Sequence, residues 1–206
     1  DLHTDNRRQR QTCIRDRQYA DQNNKKLNSL QRTIIGGAAV PESMIRDFHS
    51  KHDVFVQQAW GMTEMSPLGT VISLKYGMEN ISHEDLVELQ VKQGRGMFGV
   101  EMRIVNDEQE ILPWDGEAFG ALQVKGPWVC SDYYKLDGAA GSHTDDGWFD
   151  TGDVAKIDPL GYMQITDRTK DVIKSGGEWI SSIEIENTAM GHPGAVSYTH
   201  LRAHET

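Results

Sequence analysis

Gly147-Trp148-Phe149-Asp150-Thr151-Gly152-Asp153, followed by Asp167-Arg168-Thr169-Lys170-Asp171-Val172-Ile173-Lys174-Ser175-Gly176-Gly177-Glu178, is the stretch on which the fold reading turns. Asp153 opens a run of β-branched and apolar residues, Val154 to Ile157. A second such run, Tyr162 to Thr166, follows the turn Asp158-Pro159-Leu160-Gly161. Two short strands around an Asp-Pro-x-Gly turn make a hairpin. It sets the Asp153 carboxylate and the Arg168 guanidinium across from each other, fifteen residues apart in sequence. A carboxylate at a strand start can accept from both hydroxyls of a ribose, and a guanidinium fork can reach the same sugar or a phosphate. A turn or capping role for Asp153, and a surface ion pair of Arg168 with Asp167 or Asp171, are the plain alternatives.

Upstream, runs at 101–105 and 121–125 also read as strands separated by polar or glycine turns, so this half is an antiparallel barrel or sheet. Nearer the N-terminus the pattern changes to an α/β unit. Thr33-Ile34-Ile35 is a buried strand, Gly36, Gly37, Ala38 and Ala39 a small-residue turn, and Pro41 opens a helix with Met44, Ile45 and Phe48 on one face. Val54-Phe55-Val56 is a second buried strand that delivers residues 60–64 into the loop at its end, where α/β folds bind ligands. Ser82 and Asp85 resemble a capping box ahead of a helix over 83–92. A helix from about Ser182, with Ser181 and Glu184 as its capping pair and Ile185 and Ala189 on one face, begins a further small domain. Residues 1–26 carry Arg and Lys among Asn, Gln and Asp with almost no apolar periodicity, and a disordered segment is expected there.

The net charge of -10 argues against nucleic acid as a partner, because a phosphate backbone is held by surplus Lys and Arg. No run of eighteen apolar residues is present, so no integral membrane segment is expected, and the reading is of a cytoplasmic protein. Cys13 and Cys130 are far apart and form no Cys-x-x-Cys pair, which disfavours a disulfide framework or a thiolate metal site. His200 and His204 have helical spacing, but Leu201 stands where a zinc protease carries its glutamate. His49 and His52, three apart with no third ligand in sight, are expected to face solvent. No internal repeat marks a solenoid or propeller.

Trp60-Gly61-Met62-Thr63-Glu64 sets a flat aromatic, a glycine, a hydroxyl and a carboxylate in one tight loop. That set suits a nucleotide: a ring for a base, close backbone approach, a hydroxyl for phosphate and a carboxylate for a divalent ion. An indole packed in a turn is the plain alternative. Together with the Asp153 and Arg168 segments, this loop resembles the adenylate-forming superfamily of acyl-CoA synthetases, luciferases and peptide-synthetase adenylation domains. The residues 60–70, the run Gly94-Arg95-Gly96-Met97-Phe98-Gly99-Val100-Glu101, Gly126-Pro127-Trp128-Val129 and residues 174–186 look like medium-chain fatty-acid CoA ligases and ligases acting on methylmercaptopropionate.

The resemblance implies a mixed α/β and β fold. Residues 28–169 would be the C-terminal part of a large AMP-binding domain, 170–196 the hinge and start of a small α+β domain, and 1–27 and 197–206 segments foreign to the family. It implies ATP, Mg²⁺ and CoA as cofactor and substrates and a small carboxylic acid as the group activated. Thr63 would lie near the α-phosphate, Glu64 on Mg²⁺, and residues 36–39 beside the adenine with Trp60, Gly61 and Met62. Asp153 and Arg168 would hold the ribose, Lys170 would be the hinge, and Gly176 and Gly177 would face the thiol.

A phosphate loop and a late adenylation lysine, both expected of the family, have no match in these residues. An internal fragment, inactive by itself and poorly soluble, is therefore expected. An adenylation domain loading a carrier protein and a non-enzymatic nucleotide-binding remnant are the other readings. Which acid is activated, and the oligomeric state, are not legible.

Overall fold

The computed structural model describes residues 15–16, 18–134, 142–169, 173–175, 178–180, 185 and 188. Two four-stranded sheets, each with its own chain order, carry the architecture.

The first sheet runs β1 (Arg32–Gly36), β2 (Phe55–Gly61), β3 (Leu68–Val71) and β4 (Arg95–Gly96) in that order. β1 and β2 are parallel, as a strand–helix–strand crossover requires, and the remaining pairs are antiparallel. The crossover helix is α1 (Glu42–His52), which starts after Pro41 and ends at Asp53 in the left-handed conformation. The Asp53 N–H donates to the His49 carbonyl at 3.0 Å and the Val54 N–H to the Phe48 carbonyl at 3.1 Å, satisfying backbone acceptors that a helix end leaves open. Met44, Ile45 and Phe48 of α1 close over Ile35, Val54 and Val56 of the strand region, with Val87 from α2 (His83–Gln90) completing this core. The Ser82 cap of α2 is present as expected: the Asp85 N–H donates to Ser82 Oγ at 3.1 Å, and that hydroxyl donates to Asp85 Oδ2 at 2.7 Å.

The second sheet is an antiparallel meander of β5 (Glu101–Val105), β6 (Phe119–Lys125), β7 (Phe149–Ile157) and β8 (Met163–Arg168). Of the two forms left open by the sequence, barrel or sheet, the described strands take the sheet. Ile104, Leu122, Val124, Phe149, Ala155, Ile157 and Met163 form its core, and Met65 from the first sheet's β2–β3 connection is buried among them.

Polar ties fix one sheet to the other. The Gln93 N–H donates to the Met163 carbonyl and the Met163 N–H to the Gly94 carbonyl, both at 2.8 Å. Lys92 Nζ pairs with Asp158 Oδ2 at 2.7 Å, and the Tyr162 hydroxyl donates to the Ser73 carbonyl at 2.7 Å. Further on, β9 (Ile173–Ser175) and β10 (Glu178–Ile180) pair antiparallel. Most of the helix expected after Ser182 lies outside the described residues, of which 185 and 188 are helical. No described helix is long and apolar enough to cross a membrane.

Four local expectations change. Residues 18–22 are helical where disorder was expected. Ala20 is buried there, and Asp21 accepts from Lys51 Nζ at 3.1 Å, so a buried apolar side chain and an ion pair offset the polar composition. His52, expected in solvent, is buried at the end of α1 against Phe48. Trp60 and Gly61 are the last residues of β2 rather than loop, because β3 pairs with them, Trp60 opposite Thr70 and Gly61 opposite Leu68. Asp153 lies within β7, not at its start. Register shifts on both flanks and Gly152 at φ 69° let the strand keep pairing through a local bend.

Candidate functional site

The ends of β1 and β2 lie side by side, since Gly36 pairs with Ala59. That register brings the turn of Gly36, Gly37, Ala38 and Ala39 next to the segment Trp60 to Glu64. The turn leaves β1 through Gly37 at φ 82° and is held at its far end by Gln58, whose Oε1 accepts from the Val40 N–H at 3.1 Å.

At Gly61 the chain passes so close to the Pro67 carbonyl that any Cβ would collide with it. The glycine therefore permits the tight return from β2 to β3. Met62 is extended, and Thr63–Met65 form one 3-10 turn closed by the Met65 N–H donating to the Met62 carbonyl at 2.9 Å. This turn points the Met65 side chain into the core and leaves Thr63 exposed and Glu64 half-buried.

Trp60 connects this segment to the second sheet. Its indole N–H donates to Asp153 Oδ2 at 3.0 Å, while its ring packs against the second sheet's core and over Gly69. The other carboxylate oxygen, Asp153 Oδ1, meets Arg168 Nε at 3.0 Å, from the residue directly across the β7–β8 ladder. Asp153 is only 4% exposed, whereas the Arg168 side chain is 46% exposed. Burial pushes the Asp153 carboxyl above the ordinary aspartate range; Arg168 and the Trp60 N–H pull it back, and Asp150 adds to the rise. Two of about four lone-pair positions on this carboxylate are occupied, and one occupant is a long side chain largely in solvent.

Glu64 is held from a different direction. The Tyr133 hydroxyl donates to Glu64 Oε1 at 2.8 Å, and the Cys130 N–H donates to the Glu64 carbonyl at 2.7 Å. Burial first, and the hydrogen bond to Glu64 second, push the Tyr133 phenol up to about 12. The Cys130 thiol is raised as well, by burial and then by the Glu64 and Asp132 charges. Such a thiol is a poor nucleophile.

Among the described residues no group of three or more His, Cys, Asp or Glu could hold a metal alone. A single half-buried carboxylate is nonetheless a fitting donor for Mg²⁺, which is commonly bound through one or two carboxylates plus substrate phosphates and water. Lys170, Gly176 and Gly177 lie outside the described residues. The structure thus brings together residues 36–39, 60–64 and the Asp153–Arg168 pair. Tyr133 had no periodic or spacing signal of its own; a tyrosine pair shortly after Gly126-Pro127-Trp128-Val129 was the nearest hint.

These features belong to an adenylate-forming fold. Residues 8–134 match the family of AMP-binding enzymes, more than half of the chain, and the protein belongs to that family. It is 52% identical over 168 residues to the 3-methylmercaptopropionyl-CoA ligase of Ruegeria lacuscaerulensis, covering 82% of this chain and 31% of that protein. It is 49% identical over 174 residues to the medium-chain-fatty-acid–CoA ligase of Ectopseudomonas oleovorans, covering 84% of this chain and 32% of the relative. Among solved structures, the O-succinylbenzoate Coenzyme A synthetase of Bacillus subtilis in complex with ATP and magnesium ion superposes with a TM-score of 0.65. The two are 28% identical, over 80% of this chain and 32% of that one. The chain therefore spans about a third of the length of these relatives.

Proposed function

We propose that this chain forms the ribose and metal side of the adenylate site of an ATP-dependent acyl-CoA ligase. The reaction is attack of a carboxylate on the α-phosphate of ATP, releasing pyrophosphate, followed by displacement of AMP by the CoA thiol. The names of these two relatives favour a fatty or short thioether carboxylic acid.

One observation carries the reading: a buried aspartate, gripped by Trp60 and Arg168, stands at the junction of the two sheets beside the strand end that bears Thr63 and Glu64. Asp153 accepts from the ribose hydroxyls with its remaining lone pairs, and Arg168, being exposed, is able to turn from the carboxylate toward sugar or phosphate. Thr63 donates its hydroxyl to the α-phosphate. Residues 36–39 form the adenine side, where small side chains allow close approach to backbone. Glu64 supplies an oxygen donor for Mg²⁺, which when bound neutralises charge on the phosphates. Positioning and charge neutralisation carry most of such a reaction. Lys170 is the hinge between the two half-reactions, and Gly176 and Gly177 face the thiol.

Calorimetric titration with AMP and with a non-hydrolysable acyl-adenylate analogue tests this. Both should bind, and Asp153→Ala should weaken both by about tenfold or more, the scale of a lost charge-assisted hydrogen bond. Equal affinity in the variant, or no binding by the wild-type chain, would overturn the reading.

A further inference from the structure

We infer that Tyr133 is a positioning residue for the metal-binding carboxylate, acting through Glu64. The inference rests on the reading of Glu64 as a Mg²⁺ ligand.

Local structure at Glu64 does little to orient its side chain. The 3-10 turn that carries it is three residues long and has no side-chain cap. Orientation comes instead from a segment 62 to 69 residues later. After β6 the chain at 126–133 lies along the β2–β3 connection and is fastened to it at four points. The Trp128 indole N–H donates to the Leu68 carbonyl at 3.3 Å, and the Ser66 hydroxyl donates to the Trp128 carbonyl at 3.2 Å. The Cys130 N–H donates to the Glu64 carbonyl and the Tyr133 hydroxyl to Glu64 Oε1. A fifth contact, His143 Nε2 with the Cys130 carbonyl at 2.8 Å, secures the segment from behind.

The first three bonds would hold this segment in place whatever residue stood at 133. The fourth differs in kind, because it engages the functional group itself. A hydroxyl donating to one oxygen of a carboxylate fixes the plane of that carboxylate. Partners of this type, one shell behind a ligand, ordinarily govern metal affinity by about tenfold or more. Tyr133 touches neither substrate nor metal in this scheme, so its effect must appear in the metal linkage and not in nucleotide affinity as such.

The test measures dissociation constants of the chain for ATP with and without Mg²⁺, and for AMP without Mg²⁺. The wild type, Tyr133→Phe, Glu64→Gln and, as a control at a fully exposed tyrosine, Tyr76→Phe are compared, with thermal melting run alongside. The expected result is that Mg²⁺ tightens ATP binding in the wild type and in Tyr76→Phe. Glu64→Gln abolishes that gain. Tyr133→Phe reduces it by about tenfold, while Mg²⁺-free AMP affinity stays at the wild-type value. A general structural role would move AMP affinity and melting temperature instead. If Tyr133→Phe keeps the full Mg²⁺ gain while Glu64→Gln loses it, the inference is overturned and the site reading stands. If Glu64→Gln also keeps the gain, or the wild type shows none, the reading of Glu64 fails and the inference falls with it.

Discussion

Two polar clusters sit a few residues apart on the same strand, and they are built on opposite terms. Gln58, on β2, joins Gln90 and Gln93 in a neutral network, all three side chains being buried. Gln58 Nε2 donates to the Gln90 carbonyl, Gln90 Nε2 to the Val56 carbonyl, and Gln93 Nε2 to Gln58 Oε1 and the Val91 carbonyl. Gln93 Oε1 accepts from the Ile165 N–H, and Gln90 Oε1 lies 2.7 Å from His49 Nε2. Two residues further along β2, Trp60 begins the charged cluster, in which a buried carboxylate faces an exposed guanidinium. A neutral network with every partner in place rigidifies its surroundings. A buried ion whose counter-ion stands in solvent is the arrangement a ligand can exploit, since one partner can be exchanged at small loss. The first cluster is scaffold, locking β2, α2 and β8 together and pinning the turn at 36–39 through Val40. The second is the site that this scaffold presents.

That division predicts which changes harm folding and which harm binding. Gln93→Ala strips the Ile165 N–H of its acceptor and Gln58 of one donor in a buried place. Gln58 Oε1 keeps its Val40 donor, but leaving the Ile165 N–H unpaired costs about 1–3 kcal/mol, so a loss of about 1–3 kcal/mol is expected in urea unfolding, with AMP affinity of the folded chain unchanged. A smaller stability loss accompanied by weaker AMP binding would dissolve the distinction.

Asp153→Asn should show the reverse. Because burial holds the Asp153 carboxyl above its usual range, the ionised form is disfavoured in the folded chain. Removing the charge is expected to leave the melting temperature at neutral pH unchanged or higher, while AMP affinity falls about tenfold or more. The pH dependence follows with its sign fixed. The folded state holds the Asp153 proton at pH values where the unfolded chain has released it. Stability from this residue is therefore lost as pH rises above the ordinary aspartate value, and Asp153→Asn should remove that portion of the curve. The comparison must be wild type against variant, since Asp146, drawn down to about 2 by Arg103 and Thr144, works in the opposite direction, its contribution being lost as pH falls.

The sequence makes the second cluster more legible than the first. Asp153 and Arg168 stand on either side of an Asp-Pro-x-Gly turn, and a hairpin with that turn brings them near each other; the register shift between Val154 and Ala155 then sets Asp153 directly opposite Arg168. The glutamines carry no such signal, because a buried glutamine looks like a surface one until its partners, 32 to 35 residues away in sequence, are known. β3 went unread because it is four residues long, follows a proline and contains a glycine. Asp153 reads as a strand start because the β-branched and apolar run begins after it; tertiary pairing with β6 and β8 carries the strand back through Gly152 to Phe149. His52 was read as solvent-facing from its spacing with His49, but the helical stretch at 18–22 has no apolar periodicity to announce the contact that covers it. Tyr133 reaches Glu64 across 69 residues, and long-range side-chain pairs of that kind leave no periodic trace.

Arg168 offers the finest test of the comparison. Its side chain is nearly half exposed, so its ion pair with Asp153 is screened by water on one side and contributes about 0.5 kcal/mol or less to folding. Arg168→Gln should therefore melt within a degree or two of the wild type, in contrast to Gln93→Ala. Its effect on binding depends on whether the guanidinium turns to the nucleotide. If it does, AMP affinity falls several-fold and the loss shrinks with added salt, because a charge-to-phosphate contact is being screened. Arg168→Lys would then recover part of the affinity at low salt, but not the forked geometry. If Arg168 instead serves only to neutralise Asp153, Arg168→Gln leaves AMP affinity and its salt dependence as in the wild type. The exposed half of the charged cluster would then belong with the scaffold.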